Sequence, residues 1–245
     1  VYDHTKELKA GLDGFHAILK GQFYPDGSMK EAPVYAHKPI GEGLWKVPEM
    51  LRGHTDLYRD SLYAKGLQML VDISTPAGLF PPFDDSYSSS RLPTRTSDIA
   101  RLRCGIAVPN PQSAPSDFAI MNADLSEKPP TQKQTVLNKF YEDRRLACLG
   151  LGAGSNRIQM YLSGADGHTI HRHHDALNLQ LFVGRWDVFP DLGYLWDHPG
   201  KQWATSTPAH FTVTVDEKNS RAMGPSELLS FVERNWRAVL SCAAP

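Results

Sequence analysis

Along residues 4 to 22, Leu8, Leu12, Phe15 and Leu19 recur at three- and four-residue intervals, the spacing that lines one face of a helix, and "PDG" at 25 to 27 predicts the stop. A second helix is predicted over 40 to 52. A third runs from about 55 to 74, with Leu57, Leu62, Leu67 and Leu70 among its apolar positions. "STPAGLFPPFDDSYSSSRLPTRTSD" is rich in Pro and Ser and reads as a loop, followed by a short helix near 97 to 106. Beyond a Pro, Asn and Ser rich stretch at 108 to 131 the period shortens. "RRLACLGLGAG", "NRIQMYLSG", "ALNLQLFVG", "RWDVFPDLG" and "HFTVTVDE" are short β-branched or aromatic runs separated by Gly, Asp and Asn, the pattern of an antiparallel sheet. The segment 225 to 241 fits either a helix, by Leu228, Leu229, Phe231 and Val232, or two strands. The expected organisation is α+β: a helical part over 1–110, a connector over 111–139 and a sheet part over 140–245, without an internal repeat at solenoid periods.

Composition narrows the class without choosing a substrate. The chain has 245 residues, 41% of them hydrophobic, enough for a sizeable core. Its 26 Lys and Arg against 27 Asp and Glu leave a net charge of −1, so a generally basic nucleic-acid surface is not indicated, while a local positive groove for an acidic polymer is compatible. Cys104, Cys148 and Cys242 are far apart and form no CxxC, which points to free thiols rather than a disulfide framework or a thiolate zinc site. No apolar run approaches the about 20 residues that span a bilayer, and the N-terminus has no signal-peptide pattern. Starting with Val, the chain reads as processed, trimmed or a fragment.

The chemistry concentrates in "GHTIHRHHDALNLQLFVG", residues 167 to 184. If this segment is extended, His171, His173 and Asp175 share one face with Leu177, Leu179 and Leu181, so that face changes from imidazole and carboxylate to hydrocarbon where the strand enters a sheet. Taken singly, each histidine is as well explained as a solvated or satisfied loop residue. Asp191, after "RWDVFP", and His210, after "TSTPA", lie near the ends of other predicted strands. Two imidazoles and a carboxylate from three strands suit Zn²⁺, which makes His173, Asp191 and His210 the candidate metal ligands. The stretch "FYPDGSMKEAPVYAHKPIGEGL", residues 23 to 44, carries Tyr24, Tyr35 and His37 between helices; read alone, a tyrosine there is more often a packing residue than a catalytic one.

Four ordered motifs, "PDGSMKEAPVYAH", "LFPPFDDS", "HRHHDALNLQLFVGRWDVFPDLGY" and "TSTPAHFTVTVD", resemble the heparinase II/III family of polysaccharide lyases, which includes related alginate lyases. They span residues 23 to 216. The resemblance implies an (α/α) toroid followed by antiparallel β-sandwich layers, with a groove for a uronate-containing polysaccharide between them. Because family members are considerably longer, the chain resembles the end of the toroid and the start of the sheet domain. Position by position, Tyr35 falls on the family's catalytic tyrosine, His171 on the histidine facing it, and His173, Asp191 and His210 on the metal ligands. His37, Tyr194 and Trp196 are candidate substrate-binding residues, although aromatic packing in the sheet explains the last two equally well. The family's "HNTV" is "HFTV" here, with Phe211 in place of Asn. The family residue that neutralises the substrate carboxylate falls upstream of the region matched by residue 1. A periplasmic or secreted location is implied by the resemblance alone.

The reaction class fits these residue types. Elimination from a uronate removes the C5 proton and expels the C4 oxygen, so it needs a base, an acid and relief of the carboxylate charge. Tyrosine, with an ordinary pKa near 10, can protonate the leaving oxygen or, if deprotonated, abstract; histidine titrates near neutrality and can serve as base or stabilise charge. Zinc two residues from His171 would fix the strand rather than touch the sugar. Two other readings remain at this point. One is a non-catalytic carbohydrate-binding or structural relative. The other is a cupin-like metal enzyme, against which stand the helical first hundred residues and the lack of a well-placed glutamate after HxH.

Overall fold

The computed structural model describes residues 4–87, 90–108, 114–122, 137–164, 171–220, 226–234 and 237–243, with only the strand backbone described for 232–243. Helices come first. α1 (Thr5–Gln22) buries Phe15 and Leu19. Leu8, placed by its spacing on the same face, is exposed, because the first turns of α1 extend past the core. The predicted helix over 40 to 52 is two elements joined at Trp45: a π-helical segment, Lys38–Leu44, and α2 (Lys46–Leu51). Pro39, Gly41 and Gly43 lie in the first of these and weaken regular α-helical winding. The third predicted helix begins later than expected. Asp60 accepts hydrogen bonds from Leu62 N (2.9 Å) and Tyr63 N (3.0 Å), capping α3 (Ser61–Asp72), and a separate 3-10 turn, Leu57–Arg59, precedes it.

α3 packs through Tyr63, Leu67, Met69 and Leu70 against Phe15, Leu19, Phe23 and Ile40. Gly66 permits this approach, since a Cβ there would lie 2.5 Å from Ile40 Cδ1. α4 (Thr94–Leu102) starts three residues before the predicted short helix and ends earlier. A further helix, α5 (Asp117–Asn122), lies within the predicted connector. It forms because Ser116 Oγ caps Ala119 N at 3.2 Å and both Ser116 N and Oγ donate to the buried Asp98 carboxylate, tying α5 to α4. Most of the rest of that connector lies outside the described residues.

The sheet part is a five-stranded antiparallel meander in the order β1 (Lys139–Tyr141), β2 (Leu146–Leu151), β3 (Ile158–Ser163), β4 (Asn178–Val183), β5 (Trp186–Asp187). A short helix, α6 (Lys201–Ala204), follows. The final segment is an antiparallel hairpin, β6 (Glu227–Arg234) and β7 (Arg237–Ala243), so the helical alternative for 225 to 241 does not hold.

Two details of the strand reading need correction. His171 and Leu177 have φ of 56° and 63°, in the left-handed region, so 171–177 is not extended and β4 starts only at Asn178. The inward face of β4 is accordingly Asn178, Gln180 and Phe182, not the leucines at odd positions: Gln180 donates to the Pro82 carbonyl and Phe182 meets Tyr161 with ring centroids 5.9 Å apart. "HFTVTVDE" is not a strand among the described residues. Its one backbone bond to β4 is Leu179 N to Phe211 O, and Val213 and Val215 are exposed.

The two parts meet through polar contacts at a buried seam. Asp72, at the end of α3, accepts from Tyr141 Oη (2.6 Å) and Lys139 Nζ (3.1 Å), and Arg157 on the sheet side donates to the Ser74 carbonyl. Within the helices, Glu49 on α2 takes both nitrogens of Arg103 (3.0 and 2.9 Å) and the hydroxyl of Tyr58 (2.8 Å). Burial alone would raise the Glu49 pKa, but the bonds from Arg103 and Tyr58 and the Arg103 charge hold it below its ordinary value. A depressed carboxylate contributes stability above its unfolded pKa, about 4.3, and loses that contribution as pH falls through the folded value. Glu49→Gln should therefore cost about 3 kcal/mol at neutral pH by replacing the ion pair with Arg103 by a neutral amide contact, with the deficit shrinking below about pH 4. Urea midpoints of both proteins at neutral and acid pH check this; a constant difference would refute it.

Candidate active site

The loop between α3 and α4 carries two adjacent carboxylates that serve different partners. Asp84 has φ of 49°, and this turn sends successive side chains into separate surroundings. Asp84 is almost fully buried and bonds the equally buried Arg144; its other oxygen lies 3.1 Å from Arg172 Nε. Asp85 bonds His171 Nδ1 at 2.9 Å through one oxygen and His173 Nε2 at 3.1 Å through the other. Behind it, Tyr194 N donates to the Ser86 carbonyl at 2.9 Å. Gly193 (φ 58°) is required there, because a Cβ would lie 2.1 Å from that same oxygen.

Tyr35 sits in a 3-10 turn, Pro33–Ala36, whose other three residues are buried. The turn aims the phenol at the carboxylate loop, where its hydroxyl donates to the Asp85 backbone carbonyl. The Tyr35 and His171 rings face each other at 6.5 Å between centroids and 73° between planes. Glu31 Oε1 is 3.6 Å from His171 Nε2. Burial, then the charges of Asp85 and Glu31, push the Tyr35 phenol up to about 12. Lys38 stands over the Tyr35 ring with its ammonium 4.1 Å from the centroid, and both line an open hollow of about 530 Å³ with Glu31 and Lys30.

His173, Asp191 and His210 are all buried. Asp191 accepts from His210 Nδ1 (2.7 Å), Asn178 Nδ2 (2.7 Å) and Gly193 N (2.8 Å). Burial would raise its pKa, but these partners bring it below the usual carboxylate range. His210 is raised: burial opposes its charge, and the bond to Asp191 outweighs that. The His173 and His210 rings lie 5.3 Å apart, and His173 Nδ1 and His210 Nε2 are buried without a hydrogen-bond partner. Two orphaned imidazole nitrogens on neighbouring rings fit a metal as its first two ligands. Asp191, by contrast, is engaged by His210 itself, and no group of three or more His, Cys, Asp or Glu arranged to hold an ion occurs among the described residues. Asp175, buried beside this pair, is pushed up to about 6, mainly by burial and then by the Asp84 charge.

The remaining expected residues divide. Tyr194 meets Tyr87 (5.8 Å) and Trp196 (5.3 Å) ring to ring, and Lys201 caps its face at 4.6 Å. This aromatic ledge is close enough to Tyr35 for both Tyr87 and Tyr194 to raise its pKa. Trp196 is mostly exposed at its edge. His37 turns elsewhere, with Nδ1 on the Val34 carbonyl (2.7 Å) and Nε2 toward Glu42 (3.5 Å). Phe211, at the position of the expected Asn, stacks on Phe189 at 4.9 Å. His168 lies outside the described residues. Asp85 and Glu31 had no role assigned from the sequence. The adjacent carboxylates of "LFPPFDDS", in a loop whose other residues are uncharged except Arg91, were the available signal for Asp85.

Residues 155–237 match the family described as heparinase II/III-like, C-terminal. No curated protein sequence matches the chain. Solved structures do. A heparan sulfate lyase HepC mutant from Pedobacter heparinus is 19% identical with a TM-score of 0.68, over 94% of this chain and 36% of that one. A structure described as the heparinase III-BT4657 gene product is 18% identical with a TM-score of 0.71, over 97% and 37%. A third, heparinase III, is 16% identical at 0.59, over 90% and 36%. At these identities the likeness establishes the fold, and the chain spans little more than a third of those structures.

The Asp84 pairing generates its own test. Asp84→Asn leaves Arg144 and Arg172 buried with less compensation, and should cost about 3 to 5 kcal/mol. Chemical denaturation measures it, and a loss below about 1 kcal/mol would show that the arginines are satisfied by other groups.

Proposed function

We propose that this chain, whose residues 155–237 match the heparinase II/III-like C-terminal family, is part of a polysaccharide lyase that cleaves a uronate-containing acidic polysaccharide by β-elimination. In this reading the helical residues are the end of an (α/α) toroid and the sheet residues the start of a β-sandwich. The observation that carries it is the pairing of Tyr35, from the helical part, with His171, from the sheet part, their ring centroids 6.5 Å apart beside the open hollow that Tyr35 lines. Their environments suit opposite tasks. A phenol raised to about 12 keeps its proton at neutral pH and is a poor base, which fits the acid that protonates the departing C4 oxygen. His171 is half exposed, and its Nδ1 is held by the Asp85 carboxylate. That bond favours the tautomer with the proton on Nδ1, leaving the Nε2 lone pair, 3.6 Å from Glu31 Oε1, to accept the C5 proton.

The chemistry balances without a further reactant. The C5–H electron pair becomes the C4–C5 double bond, the C4–O bond breaks, and that oxygen takes the Tyr35 proton. His171 gains a proton and Tyr35 loses one, so a single net transfer restores both. Tyr35 must first release the Asp85 carbonyl, its partner here. Lys38, beside the phenol, provides positive charge where an anionic sugar would lie, and Tyr194 and Trp196 offer apolar faces for its rings. A periplasmic or secreted location goes with this reading.

Zinc is assigned a structural role. His173 Nδ1 and His210 Nε2 would hold it, with Asp191 as third ligand if it exchanges its His210 contact for the ion. Zinc bound there would cross-link the 171–177 turn to the segment at 210, next to the reacting positions and outside them.

Tyr35→Phe, made in the full-length protein, should lower the rate of unsaturated-uronate formation by at least about a hundredfold, read as ultraviolet absorbance, while glycan binding persists. Turnover retained in that variant would move the acid role elsewhere. Because the phenol titrates only near 12, the alkaline limb of the rate profile should not carry its signature below that value. For the metal, purified protein should contain near-stoichiometric zinc, and His210→Ala should lose most of it with a fall in Tm. Fully folded metal-free protein, or a variant that keeps its zinc, would refute the assignment.

A further inference from the structure

A second hollow, of about 630 Å³, opens between the C-terminal half of α1 and the start of α3. Its lining includes Lys20, Lys30 and Lys65, with Tyr24 and Phe23 as aromatic surface. Two of the lysines are held in place by the backbone: Lys30 Nζ donates to the Lys20 carbonyl and Lys65 Nζ to the Pro25 carbonyl, each at 2.9 Å. Lys30 also lies over the Tyr24 ring, 5.8 Å from its centroid. None of the three ammonium groups has a carboxylate partner among the described residues. The one carboxylate in the lining, Asp60, is engaged by Leu62 N and Tyr63 N and approached by His16 Nε2 at 3.4 Å. Three cations around an aromatic wall, with the local negative charge already occupied, form a site for an anion that carries a ring.

Lys30 connects this hollow to the reacting one, because it lines both. We propose that the α1–α3 hollow binds a second anionic sugar unit of the same polymer whose other unit lies at Tyr35 and His171. Lys20, Lys30 and Lys65 would meet the carboxylate or sulfate and Tyr24 the sugar face. This rests on the lyase reading for the identity of the polymer, but the site's chemistry, an anionic ring on lysines, stands on its own residues. It predicts a dependence on chain length that the Tyr35 hollow alone would not produce.

The test is calorimetric titration of the wild-type protein and the Lys20→Ala/Lys65→Ala variant with a disaccharide and an octasaccharide of heparan sulfate, and with inorganic sulfate. Both lysines are exposed, so the variant should fold, which its circular dichroism and Tm verify. The expected result is about tenfold weaker octasaccharide binding in the variant, a shallower salt dependence and an unchanged disaccharide affinity. Equal octasaccharide affinities in the two proteins would overturn the inference while leaving the lyase reading intact. An equal loss for sulfate and octasaccharide would also overturn it, since the hollow would then be a free-anion site. Octasaccharide binding weakened by the variant, when the full-length protein forms no unsaturated product from the same polymer, would sink the lyase reading and sustain this one.

Discussion

The geometry at the centre of the molecule depends on the turn at Asp84 and Asp85. One carboxylate pairs with two arginines of the sheet part, and the next holds two histidines of the same part, so a single loop from the helical side positions four of the sheet part's polar side chains. Buried charges of this kind are costly unless paired, and the pairing operates only if the two parts dock in one register. The contacts of Asp72 with Tyr141 and Lys139 lie at the same seam and require the same docking. Polar satisfaction, rather than hydrocarbon burial alone, therefore sets how Tyr35 and His171 come to face each other.

Much of this was legible as pattern. Helical spacing located α1 and α3, and the change of period located β2, β3 and β4, because each element buries a face whose residues are close in sequence. Boundaries were less legible where one side chain decides them. Asp60 starts α3 by capping it, and left-handed φ at His171 and Leu177 delays β4, two effects that hydrophobic periodicity does not carry. The inversion of β4 has the same origin. Its inward face contains Asn178 and Gln180, polar residues satisfied by Asp191 and the Pro82 carbonyl, so hydrophobicity named the wrong face. "HFTVTVDE" alternates as a strand does, yet among the described residues it meets β4 through one backbone bond and stays irregular.

Of the candidate site, the residue types were readable and their partners were not. Nothing local to Tyr35 marks it as reactive; the resemblance selected it, and beyond its neighbours Glu31 and Lys38 its partners Asp85 and His171 come from distant loops. Asp85 went without a role because its importance lies in contacts to His171 and His173, 86 and 88 positions along the chain. Long-range pairing of this sort leaves no periodic trace. Its local sign was two carboxylates where a Pro- and Ser-rich loop needs none.

The shared carboxylate also separates the two histidines by task. His171 and His173 bond the same Asp85, yet the His171 side chain is 48% exposed and that of His173 is 0% exposed. A polymer can reach only the first. The second turns its remaining nitrogen inward, toward the His210 ring, where neither water nor substrate has access. Adjacent imidazoles on one acid are thus sorted by the left-handed turn at His171, which swings that ring to the surface and leaves its neighbour in the interior. A substitution that relaxed this turn would disturb both the cleft and the buried pair at once, which ties the reactive face of the protein to the stiffness of the layer beneath it.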